Sequence, residues 1–191
     1  MKGSVGAIPV APVYETENEM SQKVPFTLKM HHVGIFVSDM DASLKWYEEV
    51  LGFVLVHRNI HDLPMQGLVD MAWMEHGDHY IELYEYPKNP MGEGKQRPFD
   101  MKDYLGSLGT KHICYYVDHA EYGALKAHLK ALQCNMPVDI RWPNDQSETP
   151  LKPLSVDADP KTSGGVIYIT DPDGIWIEII EEYYPGVGPT R

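Results

Sequence analysis

The stretch "HVGIFVSDMDASLKWYEEVLGF", residues 32–53, has a counterpart in "HICYYVDHAEYGALKAHLKALQ", residues 112–133. Each begins with a histidine, runs through apolar residues of high strand propensity, and reaches an acidic turn at Asp39 or Asp118. Each then continues with apolar residues at helical spacing. The chain therefore contains an internal repeat in which a strand leads into an amphipathic helix.

The segments that complete the two repeats also correspond. One is "HGDHYIELYEYP", residues 76–87, which reads as a hairpin turn followed by a strand that a proline ends. The other is "YITDPDGIWIEIIEEYYP", residues 168–185, with a turn at 171–174 before its strand. Each module is therefore predicted to be a strand, a helix, short strands and a final strand, which is a βαβββ unit of the α+β class.

Composition shifts predict where the modules begin and end. A Pro/Gly-rich connector separates them, and a second stretch rich in Pro, Asp and Ser, roughly 135–164, is expected to be a surface loop. The predicted organisation is an N-terminal arm at 1–27, a first module at 28–87, a connector at 88–107, a second module at 108–184 and a C-terminal tail at 185–191.

Strand parity predicts a set of metal ligands. Side chains alternate between the two faces of a strand, so Val33, Ile35 and Val37 pack behind the sheet while His32 faces the opposite side. The same rule applied to the other strands gives two histidines and two glutamates on the face away from the helices: His32, Glu82, His112 and Glu178. Imidazole and carboxylate ligands suit a divalent Zn, Ni, Co, Mn or Fe ion, and either glutamate could move a proton.

Aromatic side chains share that face by the same parity. They are Phe36, Tyr84, Tyr86, Tyr116 and Trp176, with Trp73 as a further candidate. As the lining of a substrate pocket, they would favour a flat or cyclic small molecule that carries a carbonyl group.

Composition excludes several classes of partner. The formal charge of −12 and the lack of a basic stripe argue against nucleic acid. No stretch approaches the roughly 18 continuous apolar residues of a membrane helix. Two cysteines, Cys114 and Cys134, give no disulfide framework, so a cytoplasmic protein with free thiols is expected.

The quoted segments, together with "YIEL", "KHICYYV" and "DPDGIWIEI", resemble the vicinal oxygen chelate superfamily over about residues 28–184. The resemblance implies paired βαβββ modules whose mixed sheet forms a cup around one divalent metal, with His32, Glu82, His112 and Glu178 as its ligands. It also implies a homodimer and a small-molecule substrate. The reaction expected is isomerisation or epimerisation by proton transfer next to a carbonyl, with Glu82 and Glu178 as catalytic candidates.

Several reactions of the superfamily stay open. Glyoxalase I-type lactoylglutathione lyases use the same ligand set, but their typical glutathione-binding Arg and Asn positions correspond to Phe36 and Tyr86 here. Methylmalonyl-CoA epimerases commonly have Gln in place of Glu82. Extradiol dioxygenases use two His and one Glu around Fe²⁺, and metal-free drug-binding members generally lack the four ligands. The preferred hypothesis is therefore a metal-dependent isomerase or epimerase, with these classes as alternatives.

Overall fold

The computed structural model of the chain describes residues 30–64, 67–85, 112–145 and 152–181. Every helix and strand among them lies in the compact unit that begins at His32. The predicted arm, connector and C-terminal tail lie outside the described residues. No helix in the described ranges combines the length and the apolar character needed to cross a bilayer.

The first half of this unit, module 1, has one helix and four strands. They are β1 (His32–Phe36), α1 (Met40–Leu51), β2 (Val54–Leu63), β3 (Gly67–His76) and β4 (His79–Glu85). The strands form a sheet in the order β1-β4-β3-β2, in which only the β1–β4 pair is parallel. The hairpin between β3 and β4 turns at Gly77, whose positive φ of 61° favours glycine.

Module 2 repeats this arrangement. Its elements are β5 (Ile113–Val117), α2 (His119–Ala131), β6 (Val138–Pro143), β7 (Ser163–Thr170) and β8 (Trp176–Glu181). The sheet order is β5-β8-β7-β6, again with one parallel pair, β5–β8. The predicted βαβββ repeat is therefore confirmed, and each module carries its own four-stranded mixed sheet.

One hydrophobic core joins the two modules. It contains apolar residues from α1 and from the helix-facing side of both sheets, such as Ile35, Leu83, Ile167 and Ile177, all at most 4% exposed. The ring of Phe53, just after α1, lies 6.0 Å from that of Tyr115 in β5. Burial of this apolar surface favours packing of the modules against each other.

The predicted loop at 135–164 is wrong in its first part, because β6 occupies Val138–Pro143. The alternation of Val138, Ile140 and Trp142 supports the strand, and this strand pairs with β7. The prolines of this region are therefore compatible with a strand at the edge of the sheet, where a missing N–H costs little.

Candidate metal-binding half-sites

The first histidine–glutamate pair is formed by two adjacent parallel strands. In the β1–β4 register Gly34 pairs with Glu82, which brings the side chain of His32 beside that glutamate. His32 Nε2 lies 3.2 Å from Glu82 Oε2, and the glutamate side chain is only 6% exposed. We call this pair and the side chains that contact it half-site 1.

The second pair has the same construction in module 2. Cys114 pairs with Glu178 in the β5–β8 register, and His112 immediately precedes β5. His112 Nε2 lies 2.9 Å from Glu178 Oε2. The other ring nitrogen, His112 Nδ1, is buried and finds no hydrogen-bond partner within the described ranges. Nε2 is therefore the nitrogen through which this ring contacts the glutamate. We call this pair and its neighbours half-site 2.

An aromatic ring flanks each histidine at the same register position. Trp73 lies opposite Glu82 in the sheet, and its ring contacts His32 edge-on at 4.7 Å between centroids. Tyr168 lies opposite Glu178, and its ring contacts His112 edge-on at 5.5 Å. Sequence reasoning missed Tyr168, although the parity of β7 relative to β8 would have placed it on this face.

The remaining neighbours of the two glutamates differ. In half-site 1 the Tyr84 hydroxyl donates a hydrogen bond to Glu82 Oε2. In half-site 2 the neighbour is Cys114, which lies opposite Glu178 in the β5–β8 register. Partial burial of the thiol and the nearby Glu178 carboxylate raise the pKa of Cys114 to about 12. The thiol is therefore protonated at neutral pH and, as a weak donor, makes its hydrogen bond to the Tyr115 carbonyl oxygen at 3.7 Å.

The donor atoms of each pair fit a divalent metal. Imidazole nitrogen and carboxylate oxygen bind such ions at about 2.0–2.2 Å, which places two ligands of one ion about 3.0–3.4 Å apart. The N···O distances of 3.2 and 2.9 Å agree with that spacing and also with an ordinary hydrogen bond. Each half-site therefore offers two neighbouring ligands that need little rearrangement to bind a cation.

The structure forms the predicted ligands as two pairs. Among the described residues, no group of three or more His, Cys, Asp or Glu side chains is arranged to hold a metal ion. His32 is grouped with Glu82, and His112 with Glu178, but the four do not meet in one described group. A complete four-ligand site would therefore require the two half-sites to come together.

The predicted pocket aromatics are placed as follows. Phe36 and Tyr116 are 57% and 52% exposed, and the Phe36 ring lies 5.3 Å from that of Tyr84. Trp176 contacts Tyr168 at 5.7 Å between ring centroids. Tyr86 lies outside the described residues. Both half-sites thus adjoin aromatic surface, much of it open.

Several known proteins are similar to this chain in sequence or in fold. The protein YaeR of Escherichia coli (strain K12) is 29% identical over 157 residues, which are 81% of this chain and 96% of that protein. A lactoylglutathione lyase of Schizosaccharomyces pombe is 25% identical over 165 residues, 82% of this chain and 48% of that protein. A solved glyoxylase/bleomycin resistance protein/dioxygenase domain from Frankia sp. EAN1pec aligns with a TM-score of 0.54 at 20% identity, covering 82% of this chain and 93% of that one.

The family model of the Glyoxalase/Bleomycin resistance protein/Dioxygenase superfamily matches residues 29–142, more than half of the chain. The match includes all of module 1 and the start of module 2 through β5, α2 and most of β6. Together with the duplicated βαβββ fold, it establishes that the chain belongs to this superfamily, also called the vicinal oxygen chelate superfamily.

Proposed function

We propose that the protein is a metal-dependent enzyme that transfers a proton at a carbon atom next to a carbonyl group, as an isomerase or epimerase. Its metal ligands are His32, Glu82, His112 and Glu178. The observation that carries the proposal is the spacing within each half-site, where an imidazole nitrogen and a carboxylate oxygen lie 3.2 and 2.9 Å apart. The same donor combination, repeated at the same register, is the choice of ligands that Zn, Ni, Co, Mn or Fe accept.

The chemistry divides between the ion and the glutamates. A divalent ion supplies positive charge that stabilises negative charge developing on a carbonyl oxygen of the substrate. Glu82 or Glu178 takes the proton from the adjacent carbon and becomes a carboxylic acid. In an isomerase that acid delivers the proton to the neighbouring atom. In an epimerase the other glutamate, present as its carboxylic acid, delivers a proton to the opposite face of the same carbon, and exchange with water then restores both groups. Phe36, Tyr84, Tyr116 and Trp176, with Tyr86, would line the substrate pocket.

The working unit in this proposal is a homodimer. Half-site 1 of one copy binds the ion together with half-site 2 of the other, because the described residues of a single chain do not bring the four ligands into one group. The exposed rings of Phe36 and Tyr116 beside the two half-sites support this arrangement, since apolar surface in the open favours association. Two equivalent metal sites per dimer follow from two-fold symmetry.

Elemental analysis of the purified full-length protein tests the metal. We expect about one divalent ion per chain, lost together with activity in His32→Ala and in His112→Ala. Turnover that survives complete chelation would contradict the proposal. A stoichiometric content of iron would instead favour the dioxygenase alternative.

Mixing two inactive variants tests the dimer. Glu82→Gln and Glu178→Gln each damage both sites of their own homodimer, but a mixed dimer contains one site with all four ligands. After unfolding and refolding the variants together, we expect roughly a quarter of the wild-type metal sites to return, because half of the dimers are mixed and each has one intact site. If the ligands came from a single chain, mixing would restore none.

A lactoylglutathione lyase is the second candidate, favoured by the identity to the Schizosaccharomyces pombe enzyme of that name. The apolar and exposed Phe36 in half-site 1 disfavours it, because that side chain offers nothing to bind a charged tripeptide. Turnover of lactoylglutathione by the metal-loaded protein would support this candidate. Deuterium incorporated from solvent into a carbonyl compound that contains no thiol would support the isomerase or epimerase.

A further inference from the structure

The two glutamates have equivalent registers but unequal support. The Tyr84 hydroxyl donates to Oε2 of Glu82, the same oxygen atom that faces His32 Nε2. The register pairs Phe36 with Tyr84 in module 1 and Tyr116 with Ile180 in module 2. Isoleucine therefore occupies the position that corresponds to Tyr84, so Glu178 has no phenol donor at that register position.

A glycine provides the space for the Tyr84 ring. Gly34 pairs with Glu82 in the sheet, and a Cβ atom added to Gly34 would lie 3.1 Å from Tyr84 Cε2, tighter than most real contacts. The ring of Phe36 also packs against the Tyr84 ring, at 5.3 Å between centroids. The corresponding position in module 2 is Cys114, so that module lacks both the glycine and the tyrosine.

We infer that Tyr84 is a positioning residue, which holds the Glu82 carboxylate in the orientation that binds metal, and that Gly34 exists to let its ring lie across β1. This inference rests on the proposed function. Glu82 is almost completely buried, so water cannot easily replace the phenol as hydrogen-bond donor. Hydrogen bonds that orient a metal ligand contribute about 10- to 100-fold to metal affinity.

Titration of the chelator-treated full-length protein with Zn²⁺ alone tests the role of Tyr84. In Tyr84→Phe, which removes only the hydroxyl, we expect the Kd for Zn²⁺ to rise about 10-fold or more. The matched control is Tyr115→Phe, which removes a hydroxyl from the opposite face of the β5–β8 sheet and should leave the Kd within about twofold. The visible absorption of the Co²⁺-loaded protein should change in Tyr84→Phe and stay constant in Tyr115→Phe.

A second variant tests the role of the glycine. Gly34→Ala moves the Tyr84 ring and should weaken Zn²⁺ binding in the same direction, while adding it to Tyr84→Phe should cause no further loss. Fully additive losses would overturn the role of Gly34. An unchanged Kd in Tyr84→Phe, with wild-type protein that binds Zn²⁺ at all four ligands, would overturn this inference alone. Wild-type protein that binds no divalent ion would overturn the proposed function as well.

Discussion

Modules 1 and 2 share a plan and differ in how it is supported. Both have the strand order of a βαβββ unit and a histidine–glutamate pair between their two parallel strands. In module 1 Asp39 caps the start of α1, and its side chain accepts a hydrogen bond from the Ala42 N–H, whereas the side chain of Asp118, which precedes α2, makes no such bond. The two modules therefore share the features that position the ligands and differ in the interactions that support their helices.

Charged residues beneath the sheets show the largest difference. In module 2, Arg141 Nη2 lies 2.5 Å from Glu181 Oε2, and both side chains are less than 10% exposed. His119 and the backbone N–H of Gly165 are further hydrogen-bond partners of this glutamate.

The corresponding charged residues of module 1 are more exposed. Arg58 forms ion pairs with Asp70 and Asp41, and its side chain is 34% exposed. Of these ion pairs between described residues, the one in module 2 is buried and those in module 1 are not.

Breaking the ion pair in each module should give the largest difference between the modules, measured as the loss in the free energy of unfolding. Arg141→Met leaves the Glu181 carboxylate buried without its main partner, and we expect a loss of about 3–5 kcal/mol in the free energy of unfolding. Arg58→Met, the matched control, should cost at most about 1 kcal/mol, because water and salt screen an exposed pair. Urea-induced unfolding followed by circular dichroism measures both.

The double variant Arg141→Met with Glu181→Leu sharpens this comparison. Replacing both charges by apolar side chains removes the uncompensated carboxylate and should recover most of the lost stability. Equal losses in Arg141→Met and Arg58→Met would show that the two ion pairs are equivalent after all.

A buried hydrogen bond ties the modules to each other. The Tyr47 hydroxyl in α1 donates to Asp171 Oδ2 in the turn before β8, at 3.1 Å. The backbone N–H groups of Asp173 and Ile175 also donate to Asp171. Burial raises the pKa of the Asp171 carboxyl above its usual value, and the Tyr47 hydroxyl opposes that rise. Burial also raises the pKa of Tyr47 well above its usual range, so this phenol stays a donor.

Tyr47→Phe should weaken this connection by an amount that depends on pH. At pH 7 we expect a loss of about 1.5–3 kcal/mol, the usual cost of deleting a hydrogen bond to a charged group. Because the folded-state pKa of Asp171 is raised, its contribution to stability is complete below about pH 3.9 and is lost as the pH rises through the folded pKa. The variant raises that pKa further, so the loss should be larger at pH 7 than near pH 4.

The control for this pH dependence is an Asp171→Asn background, in which the group no longer titrates. There, the cost of Tyr47→Phe should be the same at pH 7 and pH 4, measured by thermal unfolding at both values. A cost that changes equally with pH in both backgrounds would mean that another group is responsible.

Sequence periodicity was sufficient for the fold because each module is specified by local signals. Gly52 ends α1, Gly77 turns the β3–β4 hairpin, and Gly174 closes the turn that Asp171 begins, as their positions in the sequence predict. The strand β6 was missed because its six residues lie among prolines and acidic residues typical of loops. Its pairing with β7 stabilises this segment as a strand, and local composition does not reveal such a long-range contact.

Parity predicted half of the site for a similar reason. It relates residues on strands that are hydrogen-bonded neighbours, so it groups His32 with Glu82 and His112 with Glu178. It carries no information on how one sheet is oriented relative to another, or one copy relative to a second. The proposed meeting of the two half-sites depends on these three-dimensional relations, and sequence reasoning could not derive it. The hydrogen bond from Tyr84 to Glu82 joins residues two apart on the same face of β4, so parity allows it but does not predict it.

The ends of the two helices give the smallest test of the comparison. Gly52 follows α1 with φ 71°, and Gln133 follows α2 with φ 56°, so both adopt the left-handed conformation. The Cys134 N–H to Leu129 carbonyl bond closes the end of α2 as the Phe53 N–H to Tyr47 carbonyl bond closes α1.

Exchanging the residue types at these ends should have opposite effects on stability. The left-handed conformation costs glutamine about 1–2 kcal/mol, and a glycine there avoids this cost. Glycine also loses more conformational entropy on folding, which offsets about 0.5–1 kcal/mol of that gain. We therefore expect Gln133→Gly to stabilise the protein by about 0.5–1 kcal/mol and to raise the Tm by roughly 1–4 °C. Gly52→Ala should destabilise it by a similar amount, because the nearest atom to the new Cβ, in His76, lies at an ordinary 3.6 Å and only the backbone is strained. A Tm that falls in Gln133→Gly would show that the glutamine side chain stabilises its helix end by more than the backbone conformation costs.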